Sequence, residues 1–189
     1  MIAKPMQWCN DLTRYGSVSR LLHWLIAALI FVMLGLGWSM DSIPKEWKPV
    51  WLGTHKSLGI IILMLAIARL TWRLYNPPPP LPEFMRRWER IAAVIAHWLL
   101  YGFLFALPLT GWAMTSAKGK PIVFFGIVQL PDFVVPDRAL GQWLEEIHGD
   151  LAYLLAATIF LHIAAALRHH FIRKDSVLMR MWPVLSKKE

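Results

Sequence analysis

The sequence predicts an all-α fold: an integral membrane, antiparallel four-helix bundle. Three observations carry that expectation. Of 189 residues, 57% are hydrophobic and only 17% charged, with 11 tryptophans, an apolar share well above that of a soluble domain. Four stretches can approach the length of about 20 apolar residues that a helix needs to cross a hydrocarbon core. The basic residues are also distributed unevenly from one connecting segment to the next, as in a chain that crosses a membrane repeatedly.

The first helix is expected over residues 18–40, because Leu21 to Met40 carries no formal charge. Gly37, Trp38 and Ser39 then lead into a polar loop without a convincing small-residue cleavage site, so this span should stay as an anchor rather than be removed as a signal. The second helix is expected over residues 50–74. Its uncharged run, Ser57 to Ala68, has only twelve residues. It reaches spanning length if Val50 to Trp72 is helical, with Lys56 near one surface and Arg69 snorkelling or paired with an internal anion. Asn76 to Pro82 contains five prolines and should form an extended connector. The uncharged run Ile91 to Ala117 predicts the third helix over residues 88–115. Lys118 to Asp137, rich in Pro, Gly and aromatic residues, reads as a loop: a partner-docking or cofactor-covering flap, or ordinary half-buried packing. The fourth helix is expected over residues 143–171, built on Leu151 to Leu167 with Ile147 and His148 leading into it. Residues 1–189 together form one transmembrane domain on this reading.

Charge sets the orientation. Three basic residues precede His23, five lie from Arg69 to Arg90 and six from Arg168 onward, against three in Asp41 to Lys56 and three in Thr115 to Asp150. That asymmetry places both termini and the middle loop in the cytoplasm. The net charge of +8 clusters beside apolar spans, so it reads as topology signal and anionic-lipid contact, with no nucleic-acid partner. Tryptophans 38, 47, 51, 72, 112 and 143 fall near the expected interfaces, where indoles belong. Cys9 is the only cysteine, which excludes an internal disulfide, a Cys-x-x-Cys-His haem attachment and an iron–sulfur ligand set.

Five of the seven histidines lie inside or beside the apolar runs. His148 and His162, fourteen residues apart, would be separated by roughly 21 Å of helix and share a face to within about 40°. Ionisable side chains inside a bilayer are costly and usually functional, and histidine is the common protein ligand of haem iron. A repeat is also visible. His23-Trp24-Leu25 leads to Gly37-Trp38 as His97-Trp98-Leu99 leads to Gly111-Trp112, and the surroundings of His55 resemble those of His148. Fourteen residues beyond His55 and His148 stand Arg69 and His162. The chain therefore reads as two helix pairs, with sites between facing helices.

Running the helices in, out, in, out pairs His23 with His162 in the inner half and His55 with His148 in the outer half. Each pair can give both axial ligands to one haem, two per chain, one in each leaflet of a core about 30 Å thick. Arg69 and Arg168 can meet the inner propionates and Lys56 the outer ones. His97 shares the depth of His23, and spacing alone leaves open which of the two ligates. His169 and His170, beside Arg168, read as a solvated basic face, with a quinone or proton-carrying role as the alternative. With both axial positions filled, the chemistry is electron transfer rather than oxygen binding. A di-metal oxygenase or desaturase would need clustered His-x-x-His-His boxes, which this sequence lacks. A cytochrome b subunit of a larger membrane dehydrogenase or hydrogenase would share the haem chemistry and differ in its donor.

His23-Trp24, His55-Lys56-Ser57-Leu58-Gly59, Arg69 with Trp72-Arg73 and the proline connector, and Ala106-Leu107-Pro108 with Gly111 form one set of motifs. A second runs from Leu161-His162 through Arg168-His169-His170-Phe171 and Lys174-Asp175 to Leu178-Met179-Arg180-Met181. Over nearly the whole chain these resemble the bacterial cytochrome b561 family. The resemblance implies haem b ligands at His23, His55, His148 and His162, with His97 at a family position not usually counted as an axial ligand. It also implies a multi-pass protein of the bacterial inner membrane that exchanges electrons with ubiquinone. In one branch of the family the donor is superoxide, oxidised at the periplasmic face; a periplasmic redox protein is the other donor class expected. The outer cations Lys45, Lys48, Lys56, Lys118, Lys120 and Arg138 would raise the local concentration of an anionic donor.

Overall fold

The computed structural model describes residues 7–82 and 84–182. It contains four long helices, α1 Ser17–Trp38, α2 Lys48–Tyr75, α3 Arg87–Ala117 and α4 Arg138–Leu167, each long and apolar enough to cross a membrane. Even α1, with 22 residues, reaches about 33 Å at the rise of an α-helix. The short uncharged run of the second span proves to be the middle of a 28-residue helix. Pro49 sits in the first turn of α2, where its missing N–H leaves no carbonyl unpaired. The helix stops just before the proline connector, which cannot continue it.

The ends of the other helices follow from local chemistry. Glu89 accepts a hydrogen bond from the backbone N–H of Arg86 at 2.9 Å and so closes the start of α3. Asp137 caps α4 by accepting from Leu140 N–H at 3.0 Å, which lets that helix begin at Arg138, ahead of the expected residue 143. At its other end α4 passes into a π-helical turn, Arg168–Arg173. The turn stops at Lys174, which takes a left-handed conformation with φ 53°. Between α3 and α4 the expected loop carries a small antiparallel hairpin, β1 Val123–Phe124 and β2 Val128–Gln129, with Val123 opposite Gln129. Phe125 and Gly126 both have positive φ at its tip, the requirement of a tight hairpin turn. Phe125 N–H donates to Ser57 Oγ at 2.9 Å, which seats the hairpin on α2.

Helices α1 and α2, α2 and α3, and α3 and α4 pack closely. The principal core cluster, Ile26, Ile62, Ala66, Tyr101 and Leu104 with Leu29, Ile30, Met33, Leu65, Leu70 and Phe105 around it, draws on α1, α2 and α3. Helix α4 contributes nothing to that cluster and is held chiefly by α3. Large apolar side chains such as Leu21, Phe31, Leu154, Phe160 and Leu161 point outward, as they must in a bundle solvated by lipid.

The two chain ends and the α2–α3 connector meet at one end of the bundle. Tyr15 N–H donates to the Arg180 carbonyl and Trp24 Nε1 to that of Met181, at 3.3 and 2.9 Å. Asn10 Nδ2 donates to the carbonyls of Asn76 and Pro77, and Arg180 to that of Pro80. Asp11 turns the N-terminal segment, and hydrogen bonds from Thr13 and Arg14 hold its carboxyl below the usual carboxylate range. Burial pushes the Tyr15 phenol up, although Arg73 and Arg69 pull the other way. Gly16 lets this segment fold back, since a Cβ there would run into the backbone of Trp8 and Cys9.

Glu89 ties α3 to the π-helical turn. Its side chain, only 4% exposed, meets Arg168 at 3.2 Å and Arg173 at hydrogen-bond distance. Removing that carboxylate leaves two cations of one short turn without their shared counter-ion on α3. Glu89→Ala is expected to make residues 168–182 markedly more sensitive to limited proteolysis in detergent while the four helices persist by circular dichroism. Unchanged cleavage would show that the turn holds without this cluster.

Candidate functional site

Helix α4 presents two histidines to the rest of the bundle, and each meets an imidazole from another helix. The rings of His55 on α2 and His148 lie 6.2 Å apart between centroids, those of His23 on α1 and His162 lie 6.4 Å apart, and the ring planes cross at 69° and 72°. These are the two pairs that helix direction and depth anticipate from the sequence. His97 on α3 also approaches His162, at 5.3 Å.

These separations can be tested against a shared metal. An imidazole nitrogen sits about 2 Å from a bound metal, and its ring centre lies roughly 1 Å further, so two imidazoles flanking one iron would have centroids about 6 Å apart. The His55–His148 and His23–His162 pairs match that separation, whereas the His97–His162 pair is too close for it. The donor set is therefore suited to two six-coordinate haem irons.

The imidazoles of His55 and His148 are approached by glycine backbone from the two halves of the repeat. A Cβ on Gly37 would stand 3.5 Å from His55 Cε1, and one on Gly111 would stand 3.2 Å from His148 Cε1. His55 Nδ1 is buried and meets no partner among the described residues, while Thr110 Oγ1 lies 3.1 Å from His148 Nδ1. At the level of His23 and His162, His97 Nδ1 donates to the Ala93 carbonyl at 2.6 Å. Arg69 donates from NH1 to His23 Nδ1 at 3.1 Å and from Nε to the Tyr101 hydroxyl at 3.2 Å. Arg73 lies over the rings of Tyr101 and Trp98, 5.5 and 5.8 Å from their centroids.

The other expected cofactor-binding cations are placed differently. Lys56 shares its electrostatic surroundings with Lys118, Lys120 and Asp132 at the hairpin end. Arg168 is engaged with Glu89 rather than directed at a histidine pair. His169 pairs with Asp175 at 2.6 Å, both nearly buried, where the sequence suggested a solvated basic face. Glu89, Arg173, Asp175, Tyr101 and Thr110 escaped sequence reasoning. Glu89 and Asp175 carried a usable signal, being acids among many arginines and lysines beside the spans; Tyr101 and Thr110 carried none. At the hairpin end, Lys118, Lys120, Arg138, Asp137, Gln142 and Glu145 line an open cleft of about 500 Å³, with Lys118 bridged to Glu145 at 2.7 Å.

Residues 14–184 match the family model described as prokaryotic cytochrome b561. The chain belongs to that family. Cytochrome b561 homolog 2 of Escherichia coli K12 is 36% identical over 179 residues, covering 93% of this chain and 95% of that protein. Cytochrome b561 homolog 1 of the same strain is 34% identical over 182 residues, covering 91% and 98%. A probable superoxide oxidase, CybB, of Yersinia pestis is 30% identical over 174 residues, covering 90% and 96%. A prokaryotic cytochrome b561 is a multi-pass inner-membrane electron-transfer protein that binds b-type haem and works with redox partners in the membrane.

The glycine contacts give a direct check of the His55–His148 pair in this cytochrome b561. Gly111→Val is expected to displace the His148 ring and lower haem absorbance per protein. Gly102→Val, on the same helix but with open space around its Cβ position, is expected to leave it unchanged. Equal haem content in both variants would show that His148 is not part of a haem site.

Proposed function

We propose that this cytochrome b561 holds two b haems and carries electrons between a donor at the outer face and ubiquinone. The reading rests on one observation above the others: one helix pairs two of its histidines with imidazoles of two other helices, each pair at a separation suited to trans ligation of one iron. Haem iron ligated by two imidazoles supplies a one-electron couple and no open coordination position. His55 and His148 are the outer ligands, and His23 and His162 the inner ones. Both termini are cytoplasmic, in line with the distribution of basic residues.

The remaining residues have supporting roles. Arginine only donates, so its contact at His23 Nδ1 leaves the ring hydrogen on Nε2. Were Nε2 to hold iron, that hydrogen would move to Nδ1, where arginine cannot accept it, and Arg69 would then be free to meet an inner haem carboxylate. Arg173 can keep Glu89 paired while Arg168 turns to the same carboxylates. Lys56 serves the outer ones. His169, held by Asp175, is placed at the cytoplasmic end to pass a proton to a reduced quinone.

Superoxide is the donor best supported. The cleft beside Lys118, Lys120 and Arg138 is cationic on balance, and Lys56 adds to it. One relative is named a probable superoxide oxidase. Each superoxide would give up one electron and leave as dioxygen, and two such electrons with two protons reduce a quinone to a quinol. A periplasmic redox protein, or the catalytic subunit of a larger dehydrogenase or hydrogenase, would use the same haems with a different donor.

Ligand substitutions test the haem assignment. His55→Ala and His148→Ala are each expected to lose the outer haem alone, His23→Ala and His162→Ala the inner one, and His97→Ala neither, read by pyridine-haemochrome content and redox titration. Loss of the inner haem in the His97 variant with retention in the His23 variant would reverse that assignment.

Stopped-flow mixing with superoxide tests the donor. Exposed charges are screened within about 10 Å at 0.1 M salt, so haem reduction should slow as ionic strength rises and on charge reversal of Lys118 and Lys120. No reduction, or a rate indifferent to both changes, would point to another donor.

A further inference from the structure

We propose that Thr110 is a positioning residue for the outer haem, its hydroxyl oxygen accepting the Nδ1 hydrogen of His148 so that Nε2 is left bare for iron. The inference rests on the proposed ligation by His148 and adds the residue that sets the ligand's tautomer. A threonine hydroxyl has a single hydrogen. In Thr110 that hydrogen is committed to its own helix, with the Ala106 carbonyl at 2.7 Å and the Leu107 carbonyl at 3.0 Å. The contact of Thr110 Oγ1 with His148 Nδ1 at 3.1 Å can then form only if the imidazole donates. The Leu107 carbonyl, which can only accept, also lies near His148. A neutral imidazole that donates at Nδ1 presents a lone pair at Nε2, the state an axial ligand needs.

The neighbouring residue completes the arrangement. Gly111 has no side chain, and a methyl there would stand 3.5 Å from His148 Nδ1 and closer still to Cε1. Thr110 and Gly111 thus supply an acceptor and the room for the ring to reach it. The repeat makes the pairing specific to one half. Leu36 precedes Gly37 where Thr110 precedes Gly111, so α1 offers no hydroxyl at the matching position, and the Nδ1 of His55 meets no partner among the described residues. The two ligands of the outer haem would therefore differ in basicity, His148 being the stronger donor, because a hydrogen bond from Nδ1 gives the ring anionic character.

The test is a redox titration of the purified holoprotein. A more basic imidazole favours ferric iron, so Thr110→Val is expected to raise the potential of the outer haem, leaving the inner haem as an internal reference. The expected shift is three- to tenfold in the reduction equilibrium, about 30 to 60 mV for one electron. Thr110→Ser, which keeps the hydroxyl, should restore the native potential and the low-spin electron paramagnetic resonance signal. An unmoved outer potential in Thr110→Val, or an equal shift in Thr110→Ser, would overturn the proposal. His148→Ala run in parallel separates the two levels: if it retains the outer haem the ligation itself is wrong, and if it loses the haem while Thr110→Val changes nothing, only the role of Thr110 fails.

Discussion

A hydrocarbon core offers no hydrogen-bond partner, and the internal arrangement of this bundle follows from that constraint. Hydroxyls within the spans turn their hydrogens back onto their own helices: Thr54 to Val50, Ser57 to Gly53, Thr115 to Gly111 and Thr158 to Leu154. Indoles near the ends find oxygens on neighbouring segments, Trp72 on Ser19, Trp51 on Ser39 and Trp112 on Pro131. Once a hydroxyl's hydrogen is spent locally, its oxygen can only accept. Ser57 uses this to fasten the hairpin through Phe125 N–H, and Thr110 uses it toward His148. Not every polar atom in the spans is satisfied in this way: among the described residues Ser116 Oγ and His55 Nδ1 are buried without a hydrogen-bond partner, and an unpaired polar atom in such a medium costs stability.

The same constraint explains why α4 can stand apart. Apolar side chains gain little by leaving lipid for protein, so a spanning helix need not contribute to the central cluster, and α4 does not. Its attachment runs along α3, through the ring contacts of His148 and His162, and through Tyr153 stacked on Trp38 of α1. A haem bound between α4 and its partners would supply the apolar surface that the central cluster supplies elsewhere.

Much of this was legible in the sequence, and the parts that were not share a cause. Periodicity and charge fixed the number of spans and their order, and depth paired His55 with His148 and His23 with His162, because a straight helix converts sequence separation into distance with little freedom. Helix ends were less legible. The early start of α4 depends on Asp137 as a cap, and the π-helical turn on Glu89, an acid contributed from another helix nearly eighty residues away in sequence. His169 looked like part of a basic surface because Asp175 reaches it only after the turn and the left-handed Lys174 reverse the chain. Sequence spacing reports what one helix presents, and says little about what a bend brings back.

The repeat shows how two similar halves produce unlike sites. The outer pair, His55 and His148, is formed by counterpart positions of the two halves, so it joins them nearly symmetrically. At the inner level the counterparts are His23 with His97 and Arg69 with His162. Each half keeps a close internal contact there, His23 with Arg69 at 3.1 Å and His97 with His162 at 5.3 Å between rings. The pair spaced for iron, His23 with His162, crosses between the halves. A histidine at residue 69 would offer a second inner pair with His97 and leave a metal two competing positions at one depth. Arginine at that position removes the competing ligand and supplies a cation beside the remaining pair, where a haem's carboxylates need one. On the proposed ligation, the asymmetry at residue 69 would limit the level of His23 and His162 to one haem where the repeat alone would have allowed two.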